Sequence, residues 1–189
     1  MKKRTVEFEI AGLKRELPLC EVGKDTYIAA FICFGDYEIT VACAEKLLEL
    51  VPASDYDYIF TAEAKGIPLA HEMARQSGAT KYFVARKGPK NYMPDPISVV
   101  DSSITTKGLQ KLYLGSDDAA LIKGKRILIV DDVISTGGSL RAMEELIKIA
   151  GGTVAGKVTV LAEGNAASRS DIKFLHQVPL FDSKGNPKT

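Results

Sequence analysis

One segment of this chain constrains its fold more than any other. Four apolar residues, Ile127 to Val130, are followed by Asp131 and Asp132, then by a polar loop from Ser135 to Ser139, and then by a helical pattern from Leu140 to Ile147. The apolar run is typical of a central parallel strand that is covered on both faces. Since ligands of open α/β sheets bind beyond the carboxyl ends of the strands, this unit predicts an α/β fold with a binding site at the loop.

The loop has the chemistry of a site for a sugar phosphate. A helix N-terminus offers unpaired N–H groups and a partial positive charge to a phosphate. Gly137 and Gly138 let the backbone approach closely. Hydroxyl donors are present at Ser135, Thr136 and Ser139. The upstream carboxylates would repel a phosphate, but they suit vicinal ribose hydroxyls, which donate to carboxylates. The simpler alternative is an ordinary strand–turn–helix connection, which this combination of features makes less favoured.

The rest of the chain alternates strands and helices from about residue 58 onward, which predicts a parallel sheet with right-handed crossovers. The N-terminal third departs from this pattern and is interpreted as a cap on the sheet. The tail, at about 182–189, is expected to be frayed. Strands are predicted at Val6–Ile10, Lys14–Leu19, Tyr58–Ala62, Lys81–Ala85, Ile97–Val100, Ile127–Val130, Val154–Leu161 and Val178–Phe181. Helices are predicted at Asp36–Leu50, Ile67–Gln76 and Leu140–Ile147.

The bulk properties exclude several classes of protein. A length of 189 residues suits one domain. The net charge of +1 gives no sign of a nucleic-acid or membrane partner. No apolar run is long enough to span a bilayer. The three cysteines lack the CxxC spacing of a zinc site and favour a reducing compartment, so a cytoplasmic location is expected.

Four segments resemble the type I phosphoribosyltransferase family, and in particular its adenine and xanthine (purine) group. RILIVDDVISTGGSL (126–140) is similar to the family's phosphoribosyl pyrophosphate motif. EAKGIPLA (63–70) resembles its pyrophosphate loop, VARKGPK (84–90) the start of its flexible catalytic loop, and IAAFICFGDYEI (28–39) its base-covering hood. The resemblance implies one domain over 1–189, with an open, mainly parallel twisted sheet flanked by helices. It places a small N-terminal hood at about 1–35 and a flexible loop and hairpin at about 87–114.

The same resemblance implies a reaction and a role for each segment. The reaction transfers 5-phosphoribosyl from phosphoribosyl pyrophosphate to a purine base and gives a nucleoside 5′-monophosphate and pyrophosphate, as in nucleotide salvage. Mg²⁺ would be carried on the substrate near Asp131 and Asp132, which would bind the ribose. Residues 135–139 would hold the 5′-phosphate, while Val133 and Phe31 would contact the base. A homodimer is implied as well. Pyrophosphate contacts are implied for Ala64, Lys65, Gly66, Arg86, Lys87 and Lys90.

The general base is the part of this assignment that the sequence leaves unknown. A base that attacks through a ring nitrogen must lose a proton. The 6-oxopurine enzymes of the family usually carry Asp where this chain has Ser135. The adenine enzymes usually carry Glu where it has Thr105 or Thr106. Glu63 is expected to orient Lys65. Both histidines, His71 and His176, are interpreted as structural or solvated rather than catalytic.

Two alternatives stay open at this stage. The loop motif is close to the version in orotate enzymes, although the segment 88–108 lacks the paired basic residues expected there. A pyrimidine phosphoribosyltransferase is therefore one alternative. The missing general base also leaves room for a regulator that binds phosphoribosyl pyrophosphate without catalysis.

Overall fold

The N-terminal part of the chain forms a small antiparallel sheet. The computed structural model describes residues 4–101 and 110–188. The first three strands are β1 (Thr5–Ile10), β2 (Leu13–Gly23) and β3 (Thr26–Ala29), which lie in that order. The first two were predicted from the sequence. The third was not, because four residues between turns carry too little periodicity to identify a strand.

The remaining strands form the main sheet and one hairpin. They are β4 (Tyr58–Ala62), β5 (Tyr82–Ala85), β6 (Ile97–Asp101), β7 (Gln110–Leu114), β8 (Arg126–Ile134), β9 (Thr153–Glu163) and β10 (Lys173–Val178). Five of them make one sheet in the order β10-β9-β8-β4-β5, and every neighbouring pair in it is parallel. This confirms the predicted open, parallel α/β fold.

Helices cover both faces of the main sheet. They are α1 (Tyr37–Leu50), α2 (Gly66–Ser77), α3 (Ser116–Ile122) and α4 (Gly138–Ile149). Alternate residues of β8 enter two separate cores. Leu128 and Val130 pack with α1, α2 and the N-terminal sheet, whereas Ile127 and Ile129 pack with α3, α4 and the hairpin. Within residues 4–101 and 110–188, no helix is long and apolar enough to cross a membrane.

The hairpin lies in the region predicted to form a flexible loop. Strands β6 and β7 pair in an antiparallel register, and Arg86 pairs with Tyr113 where the hairpin meets the main sheet. Thr105 and Thr106 lie outside the described residues. Helix α3 follows the hairpin and was not predicted. It has only seven residues, and helices this short depend on tertiary packing, here through the buried Ile122, rather than on their own propensity.

The last strand lies earlier than the sequence predicted. A strand was expected at Val178–Phe181, but β10 ends at Val178. Pro179 follows directly and has no backbone N–H to continue the hydrogen-bond ladder. Phe181 instead pairs with Tyr27 of the N-terminal sheet, through reciprocal backbone hydrogen bonds of 2.9 and 2.8 Å.

The C-terminal segment also differs from the frayed tail that the sequence suggested. The backbone N–H of Asp182 donates to the carbonyl of Asn186 (2.9 Å), and that of Lys188 donates to the carbonyl of Leu180 (2.7 Å). The N–H of Ser183 donates to the Asp25 carboxylate over 2.7 Å. Residues 182–188 are therefore held against the N-terminal sheet.

Candidate functional site

The carboxyl ends of three neighbouring strands meet at one edge of the main sheet. In the order β9-β8-β4, these ends are Glu163, Ile134 and Ala62. The loops that follow β4 and β8 therefore lie side by side, although their residues are about 70 positions apart in the chain. This edge is the one at which open α/β sheets bind ligands.

Lys65, on the loop after β4, contacts the carboxylate pair predicted to bind ribose on β8. The Lys65 ammonium donates to the carboxylate of Asp132, which is only 4% exposed. The backbone N–H of Asp132 in turn donates to the Asp131 carboxylate over 2.9 Å. Burial and the adjacent negative charge of Asp132 raise the pKa of Asp131 well above its ordinary value. The two carboxyl groups therefore lie side by side at this edge, with the Lys65 ammonium as the neighbouring cation.

The loop after β4 fits tightly against the same carboxylates. A Cβ atom placed on Gly66 would lie 2.1 Å from the Thr61 hydroxyl oxygen and 3.5 Å from an Asp131 carboxylate oxygen. Only glycine therefore fits at this position. The close approach keeps Lys65, the preceding residue, within reach of Asp132.

Glu63 has a different partner from the one that the sequence suggested. It was expected to orient Lys65, but its carboxylate accepts from the backbone N–H of Lys87 (2.8 Å) and from Arg86 Nε (3.4 Å). These contacts and the charge of Lys90 lower the pKa of Glu63. The correction has a simple cause: β4 and β5 are neighbours, so Glu63 meets the residues that follow β5. Glu63 is thus a contact of Arg86 and of the Lys87 backbone, whereas Lys65 contacts Asp132.

The polar loop leads into α4, and its backbone conformation leaves the N–H groups at the start of the helix facing the loop. Gly137 has φ of +75°, a conformation that glycine adopts without strain. Gly138 is the first residue of α4, so the N–H groups of the first helical turn face the loop. Ser135 and Thr136 line a cleft of about 920 Å³ at this point.

Two arginines flank the loop, and neither was predicted. Arg141 Nη1 donates to the carbonyl of Thr136 over 3.1 Å. Arg169 Nη1 lies 2.7 Å from the position that a Cβ atom on Gly137 would take. The other nitrogens of Arg169 are held by Asp171, at 2.9 and 2.8 Å. Arg141 could have been predicted, because it lies in the first turn of the helix that follows the loop. Arg169 comes from a distant segment and carries no local signal.

Glu163 was also missed. It is the last residue of β9, is 7% exposed, and lines the same cleft as Ser135 and Thr136. Burial raises its pKa, while a hydrogen bond from Ser135 and the charge of Lys65 act in the opposite direction. A signal existed in the sequence, because a polar residue at the end of the strand beside β8 must reach the same sheet edge.

The two residues predicted to contact a base are placed differently from each other. Val133 is half-buried on β8, between the predicted ribose carboxylates and the loop. Phe31 is 4% exposed and packs in the core beside Cys33 and Ile39. Phe31 is not among the described residues that line the cleft of Ser135 and Thr136, but it lines a smaller pocket with Arg15 and Asp36. Its contact with a base stays a prediction.

Both histidines lie in ring contacts. His71 packs edge-on against Tyr82, with 5.9 Å between ring centroids, and His176 packs edge-on against Phe8 at 5.5 Å. These contacts agree with the structural roles expected from the sequence.

The chain is similar in sequence to known proteins. The family model described as phosphoribosyl transferase domain matches residues 40–185. The hypoxanthine/guanine phosphoribosyltransferase of Methanocella arvoryzae is 37% identical over 125 residues, which are 66% of this chain and 59% of the relative. The adenine phosphoribosyltransferase of Corynebacterium jeikeium is 35% identical over 67% of this chain and 58% of its own length. These matches therefore span less than two thirds of either relative.

A solved structure shows the same fold. The adenine phosphoribosyltransferase of Thermoanaerobacter pseudethanolicus aligns with a TM-score of 0.62 and 22% sequence identity, over 76% of this chain and 83% of that one.

Proposed function

Because this chain belongs to the phosphoribosyltransferase family, we propose that it transfers the 5-phosphoribosyl group of phosphoribosyl pyrophosphate to a purine base. The products are a nucleoside 5′-monophosphate and pyrophosphate, as in nucleotide salvage. Relatives named for adenine and for hypoxanthine and guanine support a purine acceptor.

The observation that carries the proposal is the contact between Lys65 and Asp132. In phosphoribosyl pyrophosphate the pyrophosphate stands on C1, next to the carbon that bears the 2-hydroxyl. A site for this donor must therefore place pyrophosphate ligands beside ribose ligands. Two segments predicted separately for these groups, the Lys65 loop and the Asp131–Asp132 pair, are in contact in the folded chain.

The roles follow from this arrangement. Asp131 and Asp132 accept hydrogen bonds from the ribose hydroxyls. Ser135, Thr136, Ser139 and the backbone of Gly137 and Gly138 hold the 5′-phosphate at the start of α4, where the helix dipole favours an anion. Val133 lies between the two groups and contacts the base.

The pyrophosphate end is the basic end of the site. Ala64 and Gly66 offer backbone N–H groups, and Lys65 exchanges its contact with Asp132 for one shared with pyrophosphate. Arg86, Lys87 and Lys90 lie around Glu63 at the start of the hairpin region. Since the leaving group gains negative charge as the bond to C1 breaks, these cations stabilise the transition state more than the ground state.

Mg²⁺ fits this site as a companion of the substrate. Among the described residues, no group of three or more His, Cys, Asp or Glu side chains could hold a metal. The carboxylates of Asp131 and Asp132 provide oxygen donors of the kind that Mg²⁺ takes together with phosphate oxygens. Bound there, the ion would neutralise part of the charge on pyrophosphate.

We also propose a homodimer in the cytoplasm, on the strength of the family resemblance. Light scattering coupled to gel filtration measures the oligomeric state. A monomer at all protein concentrations would contradict it.

The function is tested by the release of pyrophosphate. The protein is incubated with phosphoribosyl pyrophosphate, Mg²⁺ and one of six bases: adenine, hypoxanthine, guanine, xanthine, orotate or uracil. Release with a purine supports the proposal. Release with orotate or uracil alone identifies a pyrimidine enzyme, and donor binding without release with any base identifies a regulator.

A further inference from the structure

We propose that Glu163 takes up the proton that the acceptor base loses, and that the Ser135 hydroxyl relays it. This inference rests on the proposed function, because it supplies the general base that the reaction needs and that Ser135 cannot supply alone.

The parallel register of β8 and β9 places the two residues together. Val133 pairs with Leu161 and Ile134 with Ala162, so the next residues along, Ser135 and Glu163, lie opposite each other at the end of the ladder. Both side chains line the same cleft, and hydrogen bonding from Ser135 lowers the pKa of Glu163. Ser135, 28 residues before Glu163 in the chain, therefore forms a serine–carboxylate pair with it, in which Ser135 is the member that meets the base.

Glu163 is the carboxylate that faces the cleft. Of the described residues that line it, Glu163 is the acidic one, and Pro179 and Leu180 provide an apolar wall. The other carboxylates at this edge have partners of their own: Asp131 the backbone N–H of Asp132, Asp132 the Lys65 ammonium, and Glu63 the backbone N–H of Lys87. A planar base that enters the cleft beside Ser135 thus meets one anionic group.

The surroundings of Glu163 suit a proton acceptor. The side chain is almost fully buried, which favours the protonated form and raises the pKa. The neighbouring elements carry several charged groups. Lys65, on the loop after β4, lowers the pKa, while Arg169 and Lys188 line the same cleft, and the Asp131–Asp132 pair lies on β8. The balance leaves a carboxylate that is more basic than an exposed one.

The step balances in atoms and electrons. The ring nitrogen of the base forms a bond to C1 of the ribose, and the bond from C1 to the pyrophosphate oxygen breaks with its electron pair on pyrophosphate. The N–H proton of the base passes to the Ser135 oxygen as the Ser135 hydroxyl proton passes to Glu163. The carboxylic acid that results then loses its proton to solvent through the cleft.

The test compares four variants of the full chain with a purine that the wild type accepts. Glu163→Gln keeps the shape and removes the base, whereas Glu163→Asp keeps the carboxylate. Ser135→Ala removes the relay. Glu145→Gln, on the exposed side of α4, is the control carboxylate. For each, kcat and KM are measured from pH 5 to 9, and donor binding is measured by calorimetry.

We expect Glu163→Gln to lower kcat by about 100-fold, the lower range for general-base catalysis, with donor binding unchanged. The fall of kcat at acid pH should disappear in this variant, because no carboxylate remains to be protonated. Glu163→Asp should recover part of kcat, together with the fall of kcat at acid pH (the acid limb of the profile). Ser135→Ala should lower kcat and also weaken donor binding, because Ser135 is a proposed ligand of the 5′-phosphate. Glu145→Gln should match the wild type.

Wild-type kcat and an unchanged acid limb in Glu163→Gln would overturn the inference. Loss of donor binding in step with kcat would also do so, since it would indicate a structural role. If Glu163→Gln does not fold, Ser135→Ala decides, because wild-type kcat and pH dependence in that variant would remove the relay. A wild type that accepts no base would instead contradict the proposed function.

Discussion

The ammonium of Lys65 donates a hydrogen bond to the carboxylate of Asp132, 67 residues further along the chain. Lys65 follows β4 and Asp132 lies on β8, and the two strands are neighbours in the main sheet. The pair joins the proposed pyrophosphate and ribose ends of the site. It also leaves the most deeply buried carboxylate of the site dependent on a half-exposed lysine.

Replacement of Lys65 should therefore affect both stability and ligand binding. In Lys65→Met, Asp132 keeps its burial and loses its cation, so the free energy of unfolding should fall by roughly 1–3 kcal/mol. Pyrophosphate affinity, measured by calorimetry, should fall at least about tenfold, the equivalent of one charge-assisted hydrogen bond. Lys81→Met is a matched control, since Lys81 is similarly exposed and pairs with Asp118 away from the site. Equal pyrophosphate affinities in both variants would refute the assignment of Lys65.

Substitution of Gly137 and of Gly124 by Ala distinguishes backbone strain from loss of the phosphate site. Gly137 and Gly124 have φ of +75° and +73°, but a Cβ atom on Gly137 would meet Arg169, whereas one on Gly124 would meet nothing within 4 Å. Substitution by Ala should destabilise the chain by roughly 1–2 kcal/mol at either position. Only Gly137→Ala should raise the KM for phosphoribosyl pyrophosphate. Steady-state kinetics and denaturant unfolding measure the two effects, and an equal KM in both variants would argue against a phosphate at Gly137.

Arg169 should bind the 5′-phosphate, because one of its nitrogens faces Gly137 while Asp171 holds the others. Arg169→Met should raise the KM for the donor by about tenfold or more, with a smaller effect on kcat. Arg126→Met is the control: Arg126 is also paired with a carboxylate, Asp57, but at the other end of β8. A donor KM that is unchanged in Arg169→Met would exclude this role.

Glu72 predicts a dependence of stability on pH. Arg75 and Gln76 hydrogen-bond its carboxylate and lower its pKa from 4.5 to about 2. Because the folded-state pKa is the lower one, the contribution of Glu72 is complete above about pH 4.5 and is lost as the pH falls toward 2. Solvent screening of the exposed Arg75 limits it to on the order of 1 kcal/mol.

The comparison of wild type with Glu72→Gln measures this contribution. Urea unfolding should show a stability difference at pH 6 that shrinks toward pH 2. The exposed Glu45→Gln variant serves as the control. A difference between wild type and Glu72→Gln that is constant with pH would show that the contact with Arg75 contributes nothing through its charge.

Features encoded locally were predictable from the sequence. The buried strand β8, the loop at Gly137 and the amphipathic α4 follow one another in the chain, so hydrophobic periodicity and turn chemistry identify them together. The alternation of strands and helices then gave the parallel sheet. Short elements such as α3 and β3 were missed, because their stability comes from contacts with distant residues.

Features that topology creates could be predicted only in part. Arg169 reaches the loop because β9 lies beside β8 and the chain turns back after it. Glu63 meets Lys87 because β4 and β5 are neighbours. Strand order had to be known before either contact could be inferred. The position of Glu163 at the end of β9 could have been inferred from the parallel sheet alone.

The most direct test of the proposed function is identification of the product. Wild-type protein is incubated with phosphoribosyl pyrophosphate, Mg²⁺ and a purine base, and the mixture is separated by chromatography, beside the double variant Asp131→Asn, Asp132→Asn. A nucleoside 5′-monophosphate formed in equal amount to pyrophosphate, and strongly reduced in the double variant, is the expected result. No nucleotide from the wild type, or equal amounts from both proteins, would contradict the proposal that this edge of the sheet binds and transfers the phosphoribosyl group.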